Sequence, residues 1–278
     1  MADGTSSSGT TCDDGDPNTE NDVYDDNCVC AGTPILCNLG ATLNGTTEVC
    51  AGSAIGLVAT GGNQYQWSGP NGYTSTSGSI TRTNAQPAMS GTYSVTITNN
   101  DCVDILDIEV TVNPKPVATL SGATSVCSGG TISLSAPAGA VSYAWSGPNG
   151  FNTNTGAGNT LTRMMANTTM SGLYKVTVTG AGGCTASASR TVTVSAPTAA
   201  TITGATSVCA NSTLALTCTT AGASHQWNGP GGFTFSGAAM TRTPAVAGIY
   251  TVTVTNASGC ISTATRTVSV TDVPNAVV

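Results

Sequence analysis

The chain has 278 residues, with 14 acidic and 7 basic side chains and a formal net charge of −7. This shortage of Lys and Arg argues against binding to nucleic acid or to an anionic membrane surface. No apolar run approaches the roughly 20 residues of a membrane-spanning helix, and the 8% of charged residues stand among Thr, Ser, Gly, Ala and Val, which favour strands and turns over helices.

The first 36 residues form an acidic segment that holds eight of the fourteen acids. Its oxygen-bearing side chains follow the 1, 3, 5, 7, 9, 12 spacing of a calcium loop, although Thr19 stands where an EF-hand requires Gly and no helical pattern flanks it. Two interpretations stay open: a calcium site, or a solvated acidic loop closed by Cys12 with Cys28 or Cys30 and held to the next domain by Cys37. The calcium ligands would be Asp14, Asp16, Asn18, Glu20, Asp22 and Asp25.

The rest of the chain is a threefold repeat, in which Trp67, Trp145 and Trp227 recur after 78 and 82 residues. This period is too long for a solenoid unit and suits a small, self-sufficient β-domain. The predicted division is an acidic segment at 1–36, repeat one at 37–114, repeat two at 115–196, repeat three at 197–272 and a surplus strand at 273–278.

Each repeat predicts the same order of short strands. Strand A covers 41–50, 118–127 and 200–209, strand B alternates apolar and polar residues, and strand C carries the Trp and stops at a Gly-Pro-x-Gly turn. Strand E ends in Thr-Arg, strand F follows a Gly-x-Tyr corner, and strand G closes the repeat. This pattern predicts an all-β protein of three tandem immunoglobulin-like antiparallel sandwiches.

Two cysteines recur in every repeat, one just before strand B and one in the turn between strands F and G (the FG turn). Eleven Cys in all indicate disulfides in an oxidising, extracellular compartment. Recurrence predicts a bridge inside each repeat, closing 50 to 60 residues and stabilising it by about 4 kcal/mol. The predicted pairs are Cys50–Cys102, Cys127–Cys184 and Cys209–Cys260.

These motifs resemble the Ig-like and PKD-like repeats of secreted bacterial surface proteins and gliding adhesins, over about residues 38 to 270. The shared features are the Trp-x-Gly-Pro-x-Gly turn, the Ser-Gly-x-Tyr-x-Val-x-Val strand and the Gly-Cys before strand G. The acidic segment resembles the Cys-bracketed acidic segments near thrombospondin type 3 calcium repeats. The resemblance implies a protein of the bacterial cell surface or of an extracellular fibre.

Catalysis is not expected. His225, the only histidine, takes the place of Tyr65 and Tyr143 beside the core Trp, so no catalytic triad or histidine metal site is predicted. Cys218 is predicted to be a buried free thiol. The recurring Arg82, Arg163 and Arg242 are predicted to pack or pair locally.

The predicted function is structural: a stalk or filament of a bacterial adhesin, with no cofactor besides calcium. Two alternatives are a glycan- or surface-binding module, for which Tyr73, Phe151 and Phe233 are the recurring aromatic candidates, and an accessory part of a secreted hydrolase. The expected partners are further repeats or a subunit docked head-to-tail. The contact would be the strand begun by Asn275, Ala276, Val277 and Val278.

Overall fold

The computed structural model describes residues 8–16, 19–34, 39–100, 102–153, 158–222 and 224–272. The predicted docking strand Asn275–Val278, the predicted ligand Asn18 and the predicted tether Cys37 lie outside these residues. The chain divides into two compact units, residues 1–114 and 115–278. In the described part, helical structure is limited to single 3₁₀ turns at Pro70–Gly72, Pro87–Met89, Thr168–Met170, Ala181–Gly183 and Pro230–Gly232.

The acidic segment is a small hairpin of strands β1 (Thr19–Tyr24) and β2 (Cys30–Pro34), paired antiparallel. The chain before it runs along the other side of β1, where the Cys12 N–H donates to the Asp22 carbonyl at 3.0 Å. A disulfide joins Cys12 to Cys30, which decides between the two predicted partners of Cys12. The hairpin is therefore closed by a covalent bond between its neighbouring chain segments.

Repeat one folds into two facing sheets. The smaller has the order β3-β5-β8 and the larger the order β4-β10-β9-β6-β7. All pairings are antiparallel except that β4 runs parallel to the last strand, β10. The strands are β3 (Thr42–Gly45), β4 (Glu48–Cys50), β5 (Ile55–Thr60), β6 (Gln64–Gly69), β7 (Tyr73–Ser75), β8 (Ser79–Arg82), β9 (Gly91–Asn99) and β10 (Cys102–Asn113).

Repeats two and three reproduce this topology, which confirms the prediction of three tandem immunoglobulin-like sandwiches. Repeat two contains β11 (Ser121–Gly122), β12 (Ser125–Cys127), β13 (Ile132–Ser135), β14 (Ser142–Gly147), β15 (Phe151–Asn152), β16 (Thr160–Arg163), β17 (Gly172–Thr179) and β18 (Thr185–Ser195). Repeat three contains β19 (Ile202–Gly204), β20 (Ser207–Cys209), β21 (Leu214–Cys218), β22 (Ser224–Gly229), β23 (Phe233–Ser236), β24 (Ala239–Arg242), β25 (Gly248–Thr255) and β26 (Ile261–Thr271).

The predicted single strand A is divided in every repeat. Its first half pairs with strand B in the small sheet, and its second half crosses to pair parallel with strand G in the large sheet. The crossing residue is Gly45, Gly122 or Gly204, with φ of 149°, 123° and 125°. A side chain there would also meet the backbone of strand B, so glycine is required where strand A changes sheets.

One Trp and one Tyr fill the centre of each sandwich. Trp67, Trp145 and Trp227 are at most 1% exposed, and each indole N–H donates to a carbonyl oxygen at 2.7 to 3.0 Å. The alternation predicted for strand B is also present, since Leu57 is fully buried and Val58 is 47% exposed. The inward residues of both sheets thus form one core per repeat.

The predicted disulfide within repeat three is wrong, because its two cysteines lie at opposite ends of the sandwich. Cys260 directly precedes β26, whereas Cys209 lies opposite Thr271 at the far end of that strand. Eleven residues of extended chain span about 35 Å. A disulfide requires Cα atoms within about 7 Å. Cys209 is accordingly free and exposed.

The same geometry excludes the other two predicted pairs. Cys50 lies opposite Asn113 at the far end of β10, which begins with Cys102, so these two cysteines cannot bond to each other. In repeat two, Cys127 is bonded to Cys260 of repeat three instead of to Cys184. Cys50, Cys102 and Cys184 all take part in disulfides.

Candidate functional site

The first candidate site is the junction between repeats two and three, where the disulfide Cys127–Cys260 crosses from one domain to the next. Its Cα atoms are 5.5 Å apart. Cys127 ends β12, at the end of repeat two where strand G finishes; we call this the exit end of a repeat. Cys260 lies in the FG turn of repeat three, at the opposite end of that sandwich, which we call the FG end. The bond therefore stacks the exit end of one repeat on the FG end of the next.

Polar contacts around this disulfide hold the FG turn of repeat three against the end of β18. The Ser195 and Ser258 hydroxyl groups form a hydrogen bond of 3.0 Å, and the Asn256 Nδ2 donates to the Ala196 carbonyl at 3.1 Å. The Asn256 Oδ1 accepts the N–H groups of Ser258 and Cys260, both at 2.9 Å. One asparagine side chain thus shapes the turn that carries the sulphur and also binds the preceding repeat.

The linker between the two repeats is fixed to repeat three. Thr220 Oγ1 accepts the Thr201 N–H at 2.9 Å and donates to the Ala199 carbonyl at 2.8 Å. The Ser262 hydroxyl donates to the Thr198 carbonyl at 2.5 Å. Together with the disulfide, these contacts restrict bending between repeats two and three.

The recurring arginines lie over the recurring aromatic rings. The guanidinium carbon is 4.5 Å from the ring centre for Arg82 over Tyr73, 4.6 Å for Arg163 over Phe151 and 5.1 Å for Arg242 over Phe233. All three rings are half-buried. One face of each aromatic candidate for glycan binding is therefore occupied by a cation from the same repeat.

Each of these arginines also supports the buried tyrosine of strand F, which confirms the prediction of local pairing. Arg82 Nη1 donates to the Tyr93 hydroxyl at 2.6 Å and to the Pro70 carbonyl at 3.2 Å, and the Tyr93 hydroxyl donates to the Met89 carbonyl at 3.1 Å. Tyr174 and Tyr250 make the corresponding bonds to carbonyl oxygens four residues earlier. The arrangement is a tyrosine corner braced by an arginine.

The second candidate site is a group of three carboxylates in the acidic segment. One oxygen each of Asp13, Asp14 and Asp22 lies within 4.8 Å of the others. The Asp22 Oδ2 accepts the Asp14 N–H at 3.1 Å, whereas the Asp22 Oδ1 is buried and has no hydrogen-bond partner among the described residues. Mutually repelling oxygens with one unsatisfied, desolvated atom fit a hard cation such as Ca²⁺.

This group differs from the predicted calcium loop. Of the predicted ligands it contains Asp14 and Asp22, and its third member, Asp13, was not predicted. Thr19–Tyr24 is an extended strand instead of a loop that wraps round an ion, and a bulge between Glu20 and Val23 interrupts its alternation. Asp13 could have been predicted as a ligand because it is adjacent to Asp14 in the sequence. Strand β1 runs alongside residues 9–12, and this pairing brings Asp22 close to both of them.

Hydrogen bonds to backbone N–H groups lower two carboxyl pKa values in this segment. The Asp16 N–H, at 2.8 Å from Oδ1, is the main cause of the lowered pKa of Asp14. The Val29 and Asn27 N–H groups lower the pKa of Asp25, because Asp25 Oδ1 accepts both, at 2.9 and 2.8 Å. Asp25 therefore fastens the β1–β2 turn and lies outside the carboxylate group.

The remaining reactive side chains have structural surroundings. His225 Nε2 is 2.8 Å from the Thr220 carbonyl oxygen, and the ring takes the half-buried place of an aromatic residue. Cys218 is 4% exposed and free, as predicted. Among the described residues, no helix is long and apolar enough to span a bilayer.

Comparison with known proteins supports this architecture. A PKD-like domain model matches residues 113–194, which is repeat two. No curated protein sequence matches the chain. The disulfides and the PKD-like match are typical of an extracellular module of structural or adhesion type.

Solved structures that are similar to this chain include fragments of titin, of a bacteriophage outer capsid protein and of a mouse nectin-like molecule. An I-band fragment of titin is 12% identical, with a TM-score of 0.48, covering 83% of this chain and 98% of that one. Three N-terminal domains of the outer capsid protein Hoc of bacteriophage RB49 are 14% identical, with a TM-score of 0.43, covering 84% and 97%. The ectodomain of mouse nectin-like molecule 4 is 18% identical, with a TM-score of 0.41, covering 84% and 100%.

Proposed function

We propose that the chain is a non-enzymatic, extracellular structural protein, a stalk or filament subunit of a bacterial cell-surface adhesin or fibre. The observation that carries this proposal is the disulfide Cys127–Cys260 between consecutive repeats. A bond from the exit end of one repeat to the FG end of the next contributes little to the core of either. Its effect is to join two domains in a line and to limit their hinge motion.

The bond also changes how the chain would bear load. A pull on the two ends passes through the sulphur atoms, so the 133-residue separation between Cys127 and Cys260 is bypassed. Most of repeats two and three then lies outside the path of tension. Such a covalent bypass suits a protein that must transmit force without lengthening.

The aromatic rings argue against the alternative of a glycan-binding module. A sugar platform presents an open ring face to solvent. Tyr73, Phe151 and Phe233 are half-buried and each carries an arginine on one face. Their contacts are therefore accounted for by the packing of their own repeats.

Single-molecule stretching of the whole chain tests the structural proposal. In a Cys184→Ser background, where the disulfide of Cys184 no longer bypasses part of the same residues, the extension released on unfolding should be about 450 Å shorter with the Cys127–Cys260 bond than in a Cys127→Ser/Cys260→Ser variant. The matched control is Cys209→Ser, which removes a cysteine that forms no disulfide. Equal extensions with and without the bond would contradict a load-bearing junction.

We further propose that the acidic segment binds calcium through Asp13, Asp14 and Asp22. The unsatisfied, buried Asp22 Oδ1 is the observation that favours this second role. A bound ion would offset the negative charge of the three carboxylates and hold residues 12–14 against β1. The sandwiches, which do not contain these residues, should be unaffected.

Calorimetric titration with Ca²⁺ at millimolar concentration tests this site. We expect binding heat in the whole chain and its loss in Asp22→Asn, while Asp26→Asn, an exposed acid outside the group, should bind normally. Absence of calcium-dependent heat would support the solvated-loop interpretation instead.

A further inference from the structure

Repeat three carries a free thiol at the position that Cys127 occupies in repeat two. Cys209 ends β20 opposite Thr271, just as Cys127 ends β12 opposite Ser195. Cys127 is bonded to the following repeat, whereas Cys209 is exposed and unbonded. The two positions have the same register, and among the described residues only Cys127 meets the FG turn of another repeat.

We propose that Cys209 is the covalent attachment point for another Ig-like repeat of this kind, stacked head-to-tail on repeat three with a reduced cysteine in its FG turn. This inference rests on the proposed structural function. It specifies which kind of domain binds at the exit end of repeat three. It is supported by the Cys127–Cys260 junction, in which the same strand position receives the same type of turn.

The observed junction indicates which partner would fit. There, Asn256 holds the turn that carries Cys260 and donates to the Ala196 carbonyl, one residue beyond the end of β18. Asp272 takes the place of Ala196 at the exit end of repeat three, since it follows Thr271 at the end of β26. A partner turn of the form Asn-x-Ser-Gly-Cys would place its amide at the Asp272 carbonyl and its sulphur at Cys209.

Formation of this bond requires an oxidant. The oxidant is a small-molecule disulfide. The Cys209 thiolate attacks the compound and releases one of its halves as a thiol, giving a mixed disulfide. The partner's thiolate then attacks the Cys209 sulphur and releases the second half. Two protein thiols become one disulfide, and the two electrons and two protons leave on the two released thiols.

The test extends the whole chain by one repeat. A copy of residues 203–272 is added directly after Val278, because Val278 and Ile202 each lie eight residues beyond the corresponding valine of strand G. In the added copy, the equivalents of Cys209 and Cys218 are replaced by Ser and Ala. The chain is oxidised with glutathione disulfide, and its free thiols are labelled with iodoacetamide before peptide mapping.

We expect a bond between Cys209 and the copied Cys260, with loss of labelling at both. The matched control carries Ser in place of the copied Cys260 and should keep Cys209 fully labelled. A second extended chain, ending in a copy of residues 121–195 with the equivalent of Cys127 replaced by Ser, offers the copied Cys184 in its own FG turn, where Gly180 stands in place of Asn256. It provides an independent partner if the first addition does not fold.

Two results would overturn the inference: labelling of Cys209 in both extended chains, or a bond between the Cys209 residues of two chains. In either case the Cys127–Cys260 bond and its effect on extension could persist. The proposed structural function would then stand without this attachment point.

Discussion

Cys127 of repeat two is covalently bonded to Cys260 of repeat three, while the cysteine that corresponds to Cys127 in repeat three, Cys209, remains free. The bond joins residues 133 positions apart and closes the linker and most of both domains into one loop. Rigid stacking of these two repeats follows from this covalent bond together with the hydrogen bonds of the linker.

Removing the disulfide should lower the stability of repeats two and three. Closure of a loop of this length restricts the unfolded chain by about 5 kcal/mol in the chain-entropy model. We expect Cys127→Ser/Cys260→Ser to lower the midpoint of thermal unfolding and to separate a coupled transition into two, measured by calorimetry. Cys209→Ser should leave the calorimetric trace unchanged; an identical trace for both variants would contradict the prediction.

The tyrosine corner should be sensitive to a single hydroxyl group. Tyr93→Phe removes the side-chain donor to the half-buried Met89 carbonyl and one of the two acceptors of Arg82 Nη1. Such a loss costs about 1 to 3 kcal/mol of unfolding free energy, measurable by denaturant titration. The matched change is Tyr73→Phe, because the Tyr73 hydroxyl is outside this network; an equal loss there would argue against the corner.

Neighbouring residues of β5 should respond differently to truncation. Leu57 is fully buried in the core of repeat one, and Val58 is 47% exposed on the other face. We expect Leu57→Ala to lower the unfolding free energy by about 2 to 5 kcal/mol, and Val58→Ala to change it by less than about 1 kcal/mol. Amide exchange at β9, which lies in the same repeat, measures both in the whole chain under increasing denaturant. Similar losses would mean that the observed register of β5 is incorrect.

Acidification should loosen the turn of the acidic segment. The N–H groups of Val29 and Asn27 lower the pKa of Asp25, so the ionised carboxylate stabilises the folded turn. That stabilisation is present above the unfolded value of about 4 and is lost as the pH falls through the lower folded pKa. Amide exchange at Val29 should therefore accelerate, relative to its intrinsic rate, at acid pH.

The variant Asp25→Asn isolates this carboxylate. Its amide oxygen still accepts a hydrogen bond but does not titrate, so protection at Val29 should lose its dependence on pH in this range. Asp26→Asn serves as the matched control and should behave as the unmodified chain. Unchanged pH dependence in Asp25→Asn would assign the effect to another group.

The local conformation of each repeat could be predicted from the sequence because short-range constraints determine it. Gly-Pro-Asn-Gly predicts the turn after strand C, and Asn71 and Gly72 adopt positive φ values of 61° and 66° there. Alternating apolar residues predict which side of strand B is buried, as Leu57 and Val58 show. Chain-local sterics and the two-residue period of a strand are sufficient for these features.

Which cysteines meet was decided only by the tertiary structure. Recurrence of Cys209 and Cys260 at the positions of the other pairs suggested a bond inside the repeat, but strand G holds them about 35 Å apart. Counting the eleven residues of β26 would have exposed the conflict, whereas the bond of Cys260 to Cys127 depends on how one repeat stacks on the next. A disulfide forms between atoms that are close in space, and a periodic sequence repeats the positions of its cysteines without specifying which copies are neighbours.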